Sequence, residues 1–479
     1  MPQPTVIDLR YSEPQSKYTQ ALVKNIRETQ LEDIPREIVE RAKEEIIDIV
    51  GCMLGGANDT GNPMILNLVK TMGGNPEATI ISHGVKTSSP NAALVNAIMA
   101  RSFDFGAVET WVEGQKTESV STKQSDVIAA HLGEPMIPAG LAVAEQYHIS
   151  GRELLTALIV GEDMVARMKA AAGHRLPTAY NIGATAVAGR LLGLNEKQMF
   201  DAFGIAVHQS AGIGESMADS THCFKLNLGL AAQQGVFSAR LAKEGWTGMK
   251  EPITGGYGAY YYVFNPEYDP EALIKDIGEK YWTTITFKPF PSCRATHSSV
   301  ENALNIYNES HVKPEDIDEV IVVHHTKNVP AVCMQYPANP EGVTHVNAIF
   351  SIQYCVANVL LRGYPKPQHF TEEAILDPAV QDIVKKVKLY HDDYPGKSFL
   401  SCAITLKTKD GREYHSFVEE PLGNELVHPL SREAKFDKYR NNAEFNGKVS
   451  MAHAEEALSM MEKIEDVKDV SDIVNLLVE

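Results

Sequence analysis

The sequence lacks the signals that mark several large classes of protein. No apolar run reaches the roughly 18 residues that a membrane-spanning helix needs, and the first residues lack the basic and apolar segments of a signal peptide. No glycine-rich phosphate loop, H-E-x-x-H zinc motif or G-x-S-x-G serine motif is present. We therefore expect a cytoplasmic protein, not bound to membranes, and give nucleotide, metal and serine-nucleophile enzymes low priority.

Cysteines are few, and the 44 basic residues are outnumbered by 62 acidic ones. The six cysteines are scattered and form no C-x-x-C pair, which is typical of free thiols in a reducing compartment. The formal net charge of -18 makes nucleic acid an unexpected partner, because most of the surface repels a polyanion. A local basic pocket can still bind a small anion, since distant exposed charges are screened.

What is present is a hydrophobic pattern that divides the 479 residues into two parts. The first part has helical periodicity, with helices predicted at residues 35–55, 91–103, 137–146, 151–165, 184–192, 196–208 and 228–243. Strands are predicted at 319–325, 401–407 and 414–418, with helices at 298–308 and 346–361 among them, and the chain is helical again from residue 429. We therefore predict a mainly α fold. A large all-helical domain (residues 1–272 and 425–479) is interrupted by a smaller α+β domain (273–424).

Two segments of the helical part carry residues suited to acid–base chemistry. Asp104 lies between two phenylalanines at the end of an apolar helix, where burial would tune its pKa. A capping or surface aspartate is the simpler interpretation of this residue alone. Lys225 lies between Phe224 and Leu226 at the start of an Ala/Gly-rich helix, although a lysine there is usually solvated.

A third, proline-rich segment at residues 288–297 brings together three basic side chains: Lys288, Arg294 and His297. The helix predicted to follow adds a partial positive charge at its N-terminus. The segment could therefore clamp a carboxylate, with Arg294 as a bidentate donor. A basic loop at a domain junction explains it equally well, and Cys293 fits a buried structural thiol better than a nucleophile.

Five segments, in the same order, resemble the MmgE/PrpD family over roughly residues 15–440. Residues 48–52 with Gly55-Gly56 are similar to its first core helix, and residues 100–105 resemble its A-H-x-x-D-F-D-D-T motif. Residues 228–232 and 245–248 resemble a lysine-led Ala/Gly helix followed by G-[FW]-T-G. Residues 288–297 resemble K-x-[FY]-P-x-C/H-x-x-x-H. The resemblance implies a homodimeric enzyme that acts on a di- or tricarboxylate without a metal or organic cofactor.

The resemblance also carries roles to individual residues, position by position. Catalytic roles fall on Asp104, His131, Lys225 and Lys288; His131 is matched because it stands seven residues before Pro138, the proline expected to open the next helix. Cys293 falls where the decarboxylase of the family has a histidine, and Tyr336 matches a substrate-contacting tyrosine. Substrate-binding roles are thus assigned to Arg294, His297, Tyr336, Cys293 and His174, the last lying two residues from a lost motif histidine.

This sequence departs from the family pattern at four places. Arg101 stands in place of a motif histidine, and Gly106, Ala107 and Val108 replace D-D-T. Leu176 occupies the position of a second motif histidine, and residues 109–130 look like an insertion. These departures indicate a different substrate or a degenerate site.

The predicted function is a cofactor-independent lyase of the dehydratase type. A base, His131 or Asp104, takes the α-proton of a small polycarboxylate, while Lys225, Lys288 and Arg294 stabilise the carbanion-like intermediate. Epimerase or decarboxylase activity can pass through a similar species, and a non-catalytic carboxylate-binding protein is the alternative of another class. Convergence of the four catalytic residues in one pocket would separate enzyme from binding protein.

Overall fold

The computed structural model describes residues 15–109, 130–173, 176–212, 214–256, 258–325, 333, 341–392, 398 and 400–478. Helices dominate before residue 270 and are numbered here in chain order: α1 Lys17–Glu28, α2 Arg36–Gly56, α3 Asn62–Met72, α4 Ser89–Arg101, α5 Gly133–Tyr147, α6 Gly151–Ala172, α7 Tyr180–Leu191, α8 Glu196–Val207, α9 Glu215–Ala218, α10 Cys223–Lys243 and α11 Tyr260–Phe264. Within the described ranges, no helix is both long and apolar enough to cross a membrane.

The remainder of the chain mixes helices and strands before it becomes helical again. Its helices are α12 His297–Ser310, α13 Thr344–Ile349, α14 Ile352–Arg362, α15 Glu372–Leu376, α16 Pro378–Val384, α17 Arg432–Asn446, α18 Met451–Glu462 and α19 Ser471–Leu476. The strands are β1 Ala78–Ile80, β2 Val85–Thr87, β3 Val108–Glu109, β4 Ile285–Thr286, β5 Ile317–His324, β6 Val387–His391, β7 Cys402–Thr408 and β8 Glu413–Val418. The mainly α fold with a C-terminal α+β part is confirmed.

Small residues let the central helices of the first part pack closely. A Cβ atom added to Gly56 of α2 would lie 2.0 Å from the carbonyl oxygen of Met99 in α4. The same addition to Gly229 of α10 would lie 2.9 Å from the carbonyl oxygen of Leu94. Because α4 is covered on several sides by such contacts, its C-terminal end at Arg101 is held firmly inside the protein.

Two hydrophobic clusters occupy the interior. The first joins α1–α8 and α10 to the C-terminal helices α17–α19. The second is built on the four-stranded sheet, in the order β6-β5-β7-β8, and on helices α12 and α14. Phe103, Phe105 and Phe224 come from the helical part but belong to the second cluster. These phenylalanines flank Asp104 and Lys225, so both residues lie where the two clusters meet.

Several local predictions need correction. Pro138 does not open a helix: α5 begins five residues earlier, at Gly133, and contains the proline. Lys225 lies within the first turn of α10 rather than before it. The predicted helix at 346–361 is two helices, because Ser351 caps the second by accepting a hydrogen bond from the backbone N–H of Tyr354.

Strands were also missed. The helical part contains the β1–β2 ribbon, so it is not entirely helical. Strand β6 pairs in parallel with β5 at the edge of the larger sheet, and it was missed because it is only five residues long and mostly exposed. The predicted strands at 401–407 and 414–418 are present as β7 and β8, which form an antiparallel hairpin with Gly411 at a φ of 87°. The division of the chain at residues 273 and 424 stays a prediction.

Candidate functional site

A small ladder of backbone pairs brings distant residues together beside α4. Strand β3 pairs antiparallel with β4, with Val108 opposite Thr286. Glu109 exchanges backbone hydrogen bonds of 2.8 and 2.9 Å with Ala130. Asp104 precedes β3, Lys288 follows β4, and His131 follows Ala130, so the three side chains meet at one end of the ladder.

The turn that carries Asp104 is fixed from several directions. The backbone N–H of Asp104 donates to the carbonyl of Arg101 at 3.0 Å, and Asp104 has a positive φ of 46°, which is uncommon for a residue other than glycine. Lys438 donates to the carbonyl of Phe105 at 2.6 Å, and the N–H of Ala107 donates to Asp48 at 2.8 Å. The carboxylate of Asp104 is therefore presented by a backbone held in a sparsely populated conformation.

Five buried charged or titratable residues surround this turn. We call them the Asp104 cluster: Arg101, Asp104, His131, Glu134 and Lys288. Lys288 Nζ donates to the carbonyl oxygen and to Oδ1 of Asp104, both at 2.6 Å. Arg101 Nη1 also donates to Asp104 Oδ1, and it lies 2.9 Å from His131 Nδ1. Glu134 Oε2 lies 3.0 Å from the same His131 nitrogen.

Burial and neighbouring charges act in opposite directions on the two carboxyls of the cluster. Burial alone would raise the pKa of Asp104, but the charges of Arg101 and Lys288 hold it below its usual value. Burial raises the pKa of Glu134, and here the same two cations only reduce the shift. The two cations thus favour the ionised form of Asp104, whereas burial favours the protonated form of Glu134.

Lys225 lies on the other side of the α4 terminus, in a separate group. Its Nζ donates to Asp59 Oδ2 and to the carbonyl of Thr60, both at 2.7 Å, and lies 3.5 Å from Ser102 Oγ. Burial lowers the pKa of Lys225, and the charge of Asp59 opposes this effect. Ser102 immediately follows Arg101, so only the short 101–104 segment separates Lys225 from the Asp104 cluster.

Asp59 and Thr60 border a cavity of about 440 Å³, which we call the Asp59 cavity. Its wall also includes Phe103, His222 and His345. The cavity lies where the helical part meets α13, and its volume is enough for a small organic acid. The four predicted catalytic residues therefore fall into two adjacent groups: Asp104, His131 and Lys288 in one, and Lys225 in the other.

The structure does not direct Arg294 toward either group. Its Nη atoms donate to the carbonyls of Leu422 at 2.6 Å and Pro421 at 2.7 Å. His297 is buried, with Nε2 placed 3.2 Å from the carbonyl of Ser292 and Nδ1 placed 3.3 Å from Arg294. The guanidinium thus holds the 420–422 loop, whose carbonyl groups need donors, and carboxylate binding by Arg294 stays a prediction.

Cys293 lies beside the Asp104 cluster. Its pKa is lowered, first by a hydrogen bond from Cys333, against burial and the negative charge of Asp104; Lys288 adds a smaller favourable contribution. Its backbone N–H donates to the carbonyl of Ile349 at 2.9 Å. Tyr336, His174 and most of the predicted insertion lie outside the described residues, so the structure places neither of these two side chains.

Sequence reasoning missed four residues of the two groups: Arg101, Glu134, Asp59 and His345. Arg101 and Asp104 are three positions apart, as are His131 and Glu134. The first spacing was visible as a possible ion pair on a helix. The second was hidden because α5 was predicted to start after Glu134. Asp59 and His345 lie in a loop and a short helix and gave no local signal.

Among the described residues, no group of His, Cys, Asp or Glu is arranged to hold a metal ion.

Comparison with known proteins gives matches along nearly the whole chain. A sequence model of the MmgE/PrpD N-terminal domain matches residues 20–271, and one of the MmgE/PrpD C-terminal domain matches residues 290–466. Cis-aconitate decarboxylase of Homo sapiens is 27% identical over 467 residues, which cover 92% of this chain and 90% of the relative. The enzyme of that name from Aspergillus terreus is 24% identical over 480 residues, with 93% of each chain covered. The mitochondrial 2-methylcitrate dehydratase of Yarrowia lipolytica is 22% identical over 477 residues, covering 92% and 86%.

Proposed function

Because this chain belongs to the MmgE/PrpD family, we propose that it is an enzyme with dehydratase- or decarboxylase-type activity on a small di- or tricarboxylate. Relatives with these two activities support the reaction class. The observation that carries the proposal is the Asp104 cluster, where two cations, a histidine and two carboxylates are buried together. We propose a lyase of the dehydratase type that needs no cofactor.

In this mechanism the cations of the Asp104 cluster stabilise negative charge. Loss of an α-proton leaves charge that spreads onto the adjacent carboxylate of the substrate, and preorganised buried cations stabilise it strongly. Lys288 and Arg101 both donate hydrogen bonds to Asp104 Oδ1, and these bonds hold the two cationic side chains in place. The ammonium and guanidinium groups therefore need no reorganisation when the substrate becomes charged.

His131 is the better candidate for the base. Asp104 already interacts with two cations that lower its pKa, and this makes its carboxylate a weak proton acceptor. His131 Nδ1 lies 2.9 Å from Arg101 Nη1 and 3.0 Å from Glu134 Oε2, and burial raises the pKa of Glu134. A neutral His131 can take the α-proton, and Glu134 can orient the ring and stabilise the imidazolium that forms.

Lys225 is proposed to bind a second carboxylate of the substrate from the Asp59 cavity. Lys225 now donates to Asp59 at 2.7 Å, and a substrate carboxylate would compete with Asp59 for the same ammonium. A compound with two or three carboxylates could then reach from Lys225 to Lys288 past the 101–104 segment. This arrangement favours a polycarboxylate over a monocarboxylate.

A proton-exchange screen tests the proposal directly. Purified protein is incubated in D2O with citrate, 2-methylcitrate, cis-aconitate, malate and tartrate, and proton NMR follows deuterium uptake and new products. We expect exchange or conversion of at least one compound, abolished in Lys288→Met and unchanged in the control Lys280→Met, whose side chain is 72% exposed. Dehydration, decarboxylation and epimerisation give different products, so the same spectra identify the reaction.

If the folded wild-type protein neither exchanges a proton nor converts any of the compounds, the lyase proposal is contradicted and a non-catalytic carboxylate-binding protein is favoured. Binding of the same compounds, measured by calorimetry, would then be the remaining property to compare between wild type and Lys288→Met.

We also propose that the protein is a cytoplasmic homodimer. Six free cysteines support a reducing compartment. Met64, Leu68 and Met72 are 69%, 52% and 61% exposed and lie on one face of α3, which supports an apolar contact between copies. Light scattering of the purified protein should give twice the chain mass, and Leu68→Glu should shift it toward the monomer.

A further inference from the structure

His345 occupies a position that no sequence signal explained. It lies in the first turn of α13, is only 4% exposed, and borders the Asp59 cavity. Its ring packs edge-on against Phe103 with 4.8 Å between centroids. His345 therefore reaches from the α+β part of the chain to the segment between Arg101 and Asp104.

Both ring nitrogens of His345 face backbone carbonyl oxygens. Nδ1 lies 2.9 Å from the carbonyl oxygen of Phe370, and Nε2 lies 2.8 Å from that of Ser102. A carbonyl oxygen can only accept a hydrogen bond, and a neutral imidazole has a single N–H. Both contacts can be hydrogen bonds only if the ring carries a proton on each nitrogen.

The charged groups around the ring fit an imidazolium. Asp59 Oδ1 lies 3.6 Å from Nε2, while its other oxygen binds Lys225 at 2.7 Å. Asp59 therefore separates the two cations and offsets one of the two positive charges. His222 also faces this group, and its pKa is lowered by burial and then by the charge of Lys225, which keeps its ring neutral.

We propose that His345 is a protonated positioning residue: its imidazolium fastens the carbonyl of Ser102 and so holds the turn that presents Asp104. The Ser102 carbonyl stands at the C-terminal end of α4, where the helix dipole favours a cation. Asp104 follows two residues later with its positive φ, so the turn is held by His345 at the carbonyl of Ser102 and by Lys438 at the carbonyl of Phe105. The positioning role rests on the proposed function, but the protonation state does not.

The protonation state is tested by nitrogen-15 NMR of histidine-labelled protein. The chain has 16 histidines, and the resonances absent from His345→Gln identify this ring. We expect both of its nitrogens to resonate in the range of protonated nitrogens at pH 7.5. A nitrogen without a proton at that pH would overturn the proposal, whether or not a substrate has been found.

The positioning role is tested by hydrogen–deuterium exchange and by kinetics. In His345→Gln we expect at least tenfold faster amide exchange in peptides that cover residues 101–107, and the exposed control His453→Gln should leave them unchanged. With a substrate identified, kcat should fall at least tenfold while KM changes less than threefold. Unchanged exchange at 101–107, or a loss confined to KM, would contradict the role; failure of the lyase proposal alone would leave the exchange result standing.

Discussion

Lys288 and Lys225 are both almost fully buried, yet their surroundings differ. Lys288 contacts a carboxylate that Arg101 also contacts, inside a closed group of fixed charges. Lys225 contacts Asp59, which borders an open cavity. The ammonium of Lys288 is held by a buried carboxylate that a second cation also holds, whereas the ammonium of Lys225 contacts a carboxylate at the edge of a cavity, as the proposed exchange of Asp59 for an incoming anion requires. The closed group suits the stabilisation of transient charge, and the open one suits binding.

The largest expected effect is a difference in the free energy of unfolding between variants of these two lysines. Lys288→Met removes one cation from a fully buried pair, and we expect the free energy of unfolding to fall by about 3–5 kcal/mol. Lys225→Met should cost less, because the carboxylate of Asp59 can turn toward water in the cavity. Urea unfolding of both variants, with Lys280→Met as control, measures the difference. Equal losses of unfolding free energy would contradict the proposed difference between the two lysines.

A double substitution sharpens the same comparison. Asp104→Asn combined with Lys288→Met removes both charges of the pair, and Asn tolerates the positive φ at this position. Arg101 keeps Glu134 Oε2 as a partner at 3.4 Å. We expect the double variant to recover part of the stability lost by Lys288→Met but none of the activity. Recovery of turnover would mean that the pair is structural only.

The next effect concerns pH and the buried pair of Glu45 in α2 and Glu162 in α6. Burial raises the pKa of Glu162 from 4.5 to about 7, and it raises the pKa of Glu45 in the same direction. A carboxyl that keeps its proton in the folded state stabilises the fold at low pH. That contribution is lost as the pH rises from about 4.5 through 7, because the unfolded chain ionises first.

For one such carboxyl the loss amounts to about 3 kcal/mol over this window. Glu162→Gln cannot ionise and should flatten the decline, while the exposed control Glu456→Gln should follow the wild type. Unfolding free energies measured at several pH values between 4.5 and 8 test this. A decline that is the same in both variants would contradict the assignment to Glu162.

A smaller effect is expected for Glu134→Gln, which keeps the shape of the side chain beside His131 but removes its charge. Turnover should fall on the order of ten- to a hundredfold, as when other carboxylates that orient a histidine are removed. The pH dependence of kcat should also shift, because Glu134 no longer titrates. The Glu456→Gln variant again serves as control, and an unchanged pH profile would argue against pairing between Glu134 and His131.

The smallest effect is a difference in thiol reactivity between the surroundings of Lys225 and those of Lys288. Cys223, two residues before Lys225, is exposed, while Cys293 and the other four cysteines are buried. A thiol reagent such as Ellman's reagent should modify one thiol of the folded protein rapidly and all six after denaturation. Cys223→Ser should remove the rapid phase without changing activity. Rapid modification of Cys293 would show that the Asp104 cluster opens to solvent.

Sequence predicted more of the fold than of the site. The long helices and strands β5, β7 and β8 followed from strong periodicity, whereas β6 and the β1–β2 ribbon gave weak local patterns. Asp104, His131 and Lys288 were predicted and lie together in the structure. The partners of Lys225 could not be predicted, because Asp59 lies more than 160 positions away and no motif links them. The contacts of Arg294 with the 420–422 loop could not be predicted either, because a basic side chain near a helix can serve a loop as well as a substrate.

The pairing of Glu109 with Ala130 joins two points of the chain that are 21 positions apart. Each residue of the bridge donates and accepts one backbone hydrogen bond. Asp104 stands five residues before Glu109, and His131 directly follows Ala130. The spacing of these two side chains is therefore set by backbone hydrogen bonds, which do not depend on the chemistry of either side chain.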